Sequence, residues 1–598
     1  MMRRLLLSAA LAATAVTPLS AQSFRDRLPE DEVIYFVLPD RFANGDPNND
    51  TGGIKGDRMK HGFDPTHKGF YQGGDLKGLT DRLDYIQSLG MTAIWFAPIF
   101  KNKPVQGGVG QETAGYHGYW VTDFTSVDPH FGTNAEFKAF VDAAHARGMK
   151  VYMDIITNHT ADVIQYKECP TSACAYRSRA DFPYSRRAAD GAEINKGFEG
   201  DRVRTADNFA KLTDMNFPYT PAVPKAEANV KVPAWLNDVR YYHNRGDTTF
   251  RGENSTMGDF VGLDDLYTEN PRVVDGFIEI YGSWIDKFGI DGFRIDTAKH
   301  VNPEFWQKFA PAILDRAKAR GIPNFHIFGE VANEGVNVHE QAFYTRVAGL
   351  PSVLDFAFRR AAIEAVGGRL GTDVFNQLTE ADALYAETTN GGKRLPTFLG
   401  NHDNGRFARE MRMAKPQADD TEILKRVQLG HALMFTMRGV PTIYSGDEQG
   451  FAGDGNDQDA RETLFASKVA VYLDNKLVGT QSNHSRDNFS QSHPIYSTIA
   501  KLAEVRVKHS ALRRGTQIIR NYSDKPGLLA FSRIDAESGQ EILAVFNTST
   551  EVLKANVEVE TTATGFDALI GKCPAATRVP GSAAFEIAPL DYAICLVK

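Results

Sequence analysis

Eight short apolar runs recur along the chain, with helical patterns legible between them. The runs are Val33–Leu38, Thr92–Pro98, Lys150–Ile156, Gly292–Asp296, Phe325–Glu330, Val353–Phe358, Leu395–Leu399 and Pro441–Tyr444. A continuous apolar run, rather than an alternating one, marks a strand buried on both faces, as in a parallel sheet. Between the runs, Leu76–Leu89 carries a 3.6-residue apolar stripe and stops at Gly90. Asn134 caps a helix that stops at Gly148, Pro271 opens one that runs to Phe288 and stops at Gly289, and Pro303 opens one that stops at Gly321. Residues 420–438 and 494–508 also read as helices. Proline at the start and glycine just past the end is the expected asymmetry. Strand and helix alternating through eight runs predict an α/β chain folded as a (β/α)8 TIM barrel.

Two stretches depart from that rhythm. About a hundred residues, 160–269, separate the third run from the next helix and form an inserted domain B; the barrel is then 22–159 and 270–511. An insertion after a barrel strand emerges on the face where active sites form, so it should wall one side of a cleft. From 512 to 598 the helical pattern gives way to strand-like runs separated by turn residues, which predicts a C-terminal antiparallel β-sandwich.

The net charge of −8 argues against a nucleic-acid partner. Residues 1–21 read as an export signal: Arg3 and Arg4, then an apolar stretch too short to span a bilayer, then a small-residue cleavage site after Ala21. The mature chain is therefore expected in the periplasm or secreted, without a membrane segment. Its four cysteines fall in close pairs, Cys169 with Cys174 and Cys573 with Cys595. Local disulfides are preferred over the other two pairings and over a zinc site.

Three acids end three of the apolar runs or follow them closely: Asp296 in GFRIDTAKH, Glu330 in FHIFGEV and Asp403 in PTFLGNHD. A carboxylate at the C-terminal mouth of a barrel strand serves chemistry better than packing. Acetal hydrolysis needs one carboxylate at the anomeric carbon and a second to protonate the leaving oxygen, roughly 5–5.5 Å apart in a retaining enzyme. Adjacent strands place Asp296 and Glu330 at such a reach. Arg294 lies two residues before Asp296 and shares its face, which favours an ionised nucleophile. The apolar surroundings Phe328-Gly329 and Val331 suit Glu330 to proton donation.

These residues sit in segments that resemble the α-amylase family of glycoside hydrolases, family 13. DIITNH (Asp154, Asn158, His159), GFRIDTAKH, FGEV and FLGNHD are similar to four motifs of the family and occur in its order. VIYFVLPDRF, GMTAIWFAPI, GYHGYW and GVPTIYSGDEQG agree around them, so the resemblance covers roughly residues 30–510. It implies a retaining hydrolase of α-1,4-glucosidic bonds in starch-derived maltodextrins. Asp296 is then the nucleophile, Glu330 the general acid/base and Asp403 the transition-state stabiliser. Arg294, His159 and His402 line the cleavage subsite. Tyr119 stacks on the sugar there, with His117 and Trp120 nearby, and Lys299 and His300 face the leaving group.

The resemblance also implies calcium. DRFANGDPNNDTGG packs Asn and Asp oxygens into a Gly/Pro-rich loop that suits a hard cation. The matching positions are Asn44, Asp46, Asn49 and Asp50, with Gly73 and Asp75 from YQGGDL. A second calcium would use Asn158, Asp265 and the carbonyl of His300. The family's fifth motif is altered here to Gly262-Leu-Asp-Asp-Leu266-Tyr267. That leaves open a cyclomaltodextrinase- or neopullulanase-type hydrolase and an α-glucan transglycosylase. A non-catalytic glucan-binding protein ranks below these because all three carboxylates are present, and a metal hydrolase ranks last for want of histidines near strand ends.

Overall fold

The structure is a computed structural model that describes residues 24–170 and 174–598; the expected export signal lies outside the described residues. Seven of the eight runs form one parallel sheet: β1 (Ile34–Val37), β2 (Ala93–Phe96), β3 (Lys150–Ile155), β4 (Gly292–Ile295), β5 (His326–Gly329), β6 (Pro396–Phe398) and β7 (Val440–Tyr444). Their hydrogen-bonded order is β5-β4-β3-β2-β1-β7-β6. Ile34 faces both Ala93 and Thr442, and Gly292 faces both Tyr152 and His326. Residue 292 must be glycine, because a Cβ there would lie 2.5 Å from the His326 carbonyl oxygen and 2.6 Å from the Tyr152 ring.

The eighth run closes the ring between β5 and β6, but not as a full strand. Val353 bridges Gly329 and Asp355 bridges Thr397, in isolated parallel contacts. The reason is local. The Asp355 carboxylate accepts the Phe358 N–H and caps the helix Phe356–Val366, so pairing ends where that helix begins. The Leu76–Leu89 stripe likewise forms two helices, Leu76–Asp81 and Leu83–Ser88, broken at Arg82 (φ −109°, ψ 13°). Thr133, not Asn134, caps the helix Asn134–Ala146, in a capping box with Glu136. The Asn134 side chain instead accepts the Val127 N–H. The helix Pro271–Phe288 starts from its Asn270 cap and ends at Gly289, whose φ of 69° favours glycine.

The stretch leaving β3 folds back on the barrel mouth. His159–Thr160 pairs antiparallel with Asp264–Asp265, and Gln165–Tyr166 with Pro221–Ala222. Cys169 and Cys174 form a disulfide within it. After the barrel come β8 (Thr516–Asn521), β9 (Leu528–Ile534), β10 (Glu541–Asn547), β11 (Leu553–Glu558), β12 (Phe566–Ile570), β13 (Ser582–Ile587) and β14 (Asp591–Val597). They make an antiparallel sheet β8-β9-β10-β14-β12 and a facing pair β11–β13, with a core of their own that includes Leu543, Val545, Val557 and Phe585. Cys573 and Cys595 are joined by a disulfide.

Two buried guanidinium groups meet the end of one barrel helix, Arg506 from the barrel itself and Arg533 from the sandwich, which it fastens to the barrel. Arg506 donates to the Phe435 carbonyl at 3.0 Å, and Arg533 of β9 donates to the Thr436 carbonyl at 2.9 Å. Both carbonyls end the helix Asp420–Thr436, where a cation meets the negative pole of the helix. Among the described residues, no helix is long and apolar enough to cross a membrane.

Burial lowers His159 and His326 to about 3, and His431 and His493 to about 4, from an ordinary 6.5. These imidazoles are neutral in the native chain, whereas the unfolded chain protonates them below about 6.5. The unfolded state therefore binds more protons at these four positions between those values, so they contribute a loss of stability as pH drops from 6.5 towards 4. His431→Gln should remove about 2 kcal/mol of that loss, read from urea unfolding at pH 7 and pH 4.5.

Candidate active site

Asp296 follows β4, Glu330 follows β5 and Asp403 lies beyond β6, so parallel strands bring all three to the same end of the barrel. Arg294, inside β4 and fully buried, is the hub. Its Nη1 lies 2.9 Å from Asp154 Oδ1 and 2.9 Å from Asp296 Oδ1, and its Nη2 makes an ion contact of 2.7 Å with Glu330 Oε2. Asp154, at the end of β3, holds that guanidinium in place. Its Oδ2 also accepts from Trp95 Nε1 and from the Tyr119 hydroxyl, each at 3.1 Å. Glu330 is therefore not in purely apolar surroundings as its sequence context implies. It also accepts the Thr297 N–H at 3.1 Å, which Thr297 presents from a left-handed backbone (φ 45°).

One guanidinium here serves three carboxylates. Burial pushes Asp296 well above the usual carboxylate range; Arg294 opposes this, while the charges of Glu330, Asp154 and Asp403 add to it. Burial likewise lifts Asp154 to about 6, against the pull of Arg294. Arg294 thus opposes, without offsetting, the effect of burial on these acids.

Burial favours the neutral ring at His402 and His159, and each has one buried nitrogen without a partner. His402 Nε2 lies 2.7 Å from the Tyr119 hydroxyl, while its Nδ1 is buried without a partner. His159 Nε2 is also buried without a partner. Burial, followed by the charges of Arg461 and Arg294, lowers His402 well below its ordinary value. Tyr119 stacks on His402 at 5.5 Å, and His117 on Tyr119 at 5.6 Å. His117 accepts the Tyr119 N–H through Nδ1 and meets the Trp120 ring edge-on at 4.6 Å. Lys299 donates to the Ala332 carbonyl at 2.7 Å, and His300 Nδ1 lies 2.7 Å from the Ser255 carbonyl oxygen.

Two further residues join this cluster without a signal in the sequence reading. Arg461 lies 2.9 Å from Asp403 Oδ1, donates to the His402 carbonyl at 3.0 Å, and reaches the Tyr116 hydroxyl at 3.2 Å. Phe260 of the insertion stacks on His159 at 5.6 Å. Asp403 is the exposed member of the trio, with 42% of its side chain accessible, and so marks the open edge of the cleft.

The Asx-rich loop after β1 has the donors a hard cation needs. The side-chain oxygens of Asn44 and Asn49 are buried with no hydrogen-bond partner. Asp50 is pushed up to about 6 by burial and by the charges of Asp40, Asp75 and Asp46, a sign of missing positive charge. Gly73 (φ 98°) leaves room for this cradle; a Cβ there would lie 2.6 Å from Asn44 Nδ2 and 2.7 Å from Asp50 Oδ1. Asp75 differs from expectation. It caps the helix Leu76–Asp81 and accepts N–H groups from Gly45, Asp46 and Gly78 as well as Asn49 Nδ2. Asp46 accepts from Asn48 at 2.7 Å. Among the described residues, no group of three or more His, Cys, Asp and Glu side chains is placed to hold a metal. The donors at this loop are therefore amide oxygens supplemented by carboxylate.

The residues of the second expected site are arranged differently. Asn158 Nδ2 lies 3.3 Å from His159 Nδ1, and the Asp265 carboxylate meets His243 at 2.6 Å.

The family described as "Alpha amylase, catalytic domain" matches residues 36–515. An alpha-amylase of Streptomyces lividans is 48% identical over 498 residues, 83% of this chain and 53% of that protein. Neopullulanase 2 of Thermoactinomyces vulgaris is 29% identical over 73% of this chain and 59% of its own length. The chain thus spans little more than half the length of these curated relatives. Among solved structures, a cyclomaltodextrin glucanotransferase with a three-domain ABC distribution superposes with a TM-score of 0.70 at 26% identity, covering 95% of this chain and 99% of that one. An Anoxybacillus alpha-amylase superposes at 0.67 and 26%, covering 96% and 99%.

If Asp154 positions Arg294, Asp154→Ala should lower kcat by about 100-fold through misplacement of the Asp296–Glu330 pair. Steady-state kinetics on a folded variant, verified by circular dichroism, measure this.

Proposed function

The chain belongs to the alpha-amylase family, and on that premise we propose that it hydrolyses internal α-1,4-glucosidic bonds of starch-derived maltodextrins with retention of configuration. The observation that carries this reading is the Arg294 guanidinium, which holds Asp296 and Glu330 on adjacent nitrogens. That spacing fits the short carboxylate separation of a double displacement, roughly 5–5.5 Å. The alpha-amylase relative at 48% identity favours this reading over cyclodextrin or pullulan hydrolysis and over transglycosylation.

In the first step Asp296 attacks the anomeric carbon as the glycosidic C–O bond breaks, and Glu330 gives its proton to the departing oxygen. The product is a glycosyl ester on Asp296. In the second step Glu330 takes a proton from water, the water oxygen bonds to the anomeric carbon, and the ester C–O bond breaks to free Asp296. Asp403 supplies negative charge towards the oxocarbenium-like transition state. Neutral His159 and His402 line the cleavage subsite, and Tyr119 offers its ring to the sugar face. His117 and Trp120 support that ring, and Lys299 and His300 border the leaving-group side.

We propose calcium at the loop after β1, held by Asn44, Asn49 and Asp50 with Asp46, around the cradle that Gly73 leaves and the anchor that Asp75 provides. When bound, the ion would supply the positive charge this loop lacks and tie it to residues 72–75. Export to the periplasm or medium is the matching localisation, since disulfides persist in oxidising compartments.

Asp296→Asn should lower turnover of maltoheptaose by at least about 10⁴-fold while leaving maltodextrin binding intact. Full turnover by that variant would refute the assignment. A product profile on maltoheptaose, β-cyclodextrin, pullulan and soluble starch should favour starch and maltoheptaose. Chelation should lower the melting temperature of the wild type, and Asp50→Asn should abolish that response in calorimetry.

A further inference from the structure

Of the three acids, Arg294 holds Asp296 and Glu330, and a second guanidinium holds Asp403. The main chain of Asp403 is set locally: the Asn401 side-chain oxygen accepts the N–H groups of Asp403 and Asn404 at 3.0 and 2.7 Å. Its carboxylate is set by the segment 454–461, which follows β7. Arg461 Nη2 lies 2.9 Å from Asp403 Oδ1, Nε donates to the His402 carbonyl at 3.0 Å, and Nη1 donates to the Tyr116 hydroxyl at 3.2 Å. The Asp457 N–H donates to the Asp403 carbonyl at 3.3 Å. Gly405 permits this close approach of the two segments. Its φ is 82°, and a Cβ there would lie 2.7 Å from Asn456 Oδ1 and 2.9 Å from the Gly455 carbonyl oxygen. Arg461 and Tyr116 are both buried, and the Arg41 guanidinium backs the Tyr116 ring at 4.0 Å from its centroid. Every nitrogen of the Arg461 fork therefore has a fixed partner.

This contact carries an electrostatic cost. A carboxylate that stabilises an oxocarbenium-like transition state must present negative charge to the sugar, and a guanidinium at this distance offsets that charge. A second acid restores the balance. Asp457 Oδ1 lies 2.5 Å from the same Arg461 Nη2. One cation between two carboxylates leaves the group of three with a net negative charge. Asp457 has 61% of its side chain accessible, and its backbone is left-handed (φ 53°), a conformation that Asp and Asn tolerate better than most residues.

We infer that Arg461 and Asp457 are positioning residues for Asp403: Arg461 fixes the direction of its carboxylate, and Asp457 offsets the Arg461 charge so that Asp403 still acts on the transition state. The inference rests on the role of Asp403 proposed above. It requires neither Arg461 nor Asp457 to touch the substrate.

Steady-state kinetics of the full chain on maltoheptaose and on α-maltosyl fluoride, a disaccharide too short to reach a distant subsite, test this. Asp457→Asn keeps the shape and suits the left-handed backbone, so it removes only the charge. Its kcat should fall about tenfold on both substrates, with KM held within about twofold. Arg461→Met should lower kcat by about 100-fold through misplacement of Asp403. Arg461→Lys should recover part of that loss, because an ammonium restores the charge but not the fork. Full turnover by Asp403→Asn would remove the role of Asp403, and this inference with it. Loss of turnover in Asp403→Asn, with kcat unchanged in Asp457→Asn, would overturn this inference alone. A defect confined to maltoheptaose would also overturn it, since the pair would then bind a remote glucose unit. If Arg461→Met does not fold, Asp457→Asn still decides, because its side chain is exposed.

Discussion

A single guanidinium organises the centre of this molecule. Arg294 is fully buried, and burying a charge costs several kcal/mol unless partners surround it. Its partners come from three neighbouring strands: Asp154 ends β3, Asp296 follows β4 and Glu330 follows β5. None of these carboxylates is compensated without Arg294, and Arg294 is not compensated without them. The same interdependence fixes the geometry of the pair and leaves three carboxylates sharing one guanidinium.

The surrounding structure repeats this pattern of charges matched at close range. Asp403 has Arg461, Asp265 and Glu269 share His243, and Asp264 has Lys231. At the other end of the barrel, Arg506 and Arg533 meet carbonyls rather than carboxylates, and the negative end of a helix takes the role of the counter-ion. The Asx loop after β1 is the exception. Its amide oxygens and Asp50 make no ion pair with a side-chain cation among the described residues.

Much of this was legible along the chain. Strand runs buried on both faces have a strong apolar signal, and seven of the eight form regular strands. The eighth, Val353–Phe358, misled because apolarity cannot register that Asp355 caps a helix and ends the pairing early. The Leu76–Leu89 stripe concealed a break for the same reason: periodicity reports the buried face, not continuity of the backbone. Asp296, Glu330 and Asp403 were readable because acids at the ends of apolar runs are out of place. Arg461 and Phe260 were not readable, since nothing about a residue in an irregular loop reveals which face it will turn towards the cleft.

The amino-acid order by itself determined the alternation of elements, the long insertion, the terminal strands and the placing of three acids at the ends of apolar runs, because local apolar pattern and residue chemistry carry that information. Only the tertiary structure decided how charges were paired. Arg294 took up three acids from three strands, Asp265 was matched by a histidine 22 positions earlier, and Asp75 also caps a helix. Pairing depends on distances of a few ångströms between segments far apart in the chain, and electrostatic energy in a buried site changes steeply over that range.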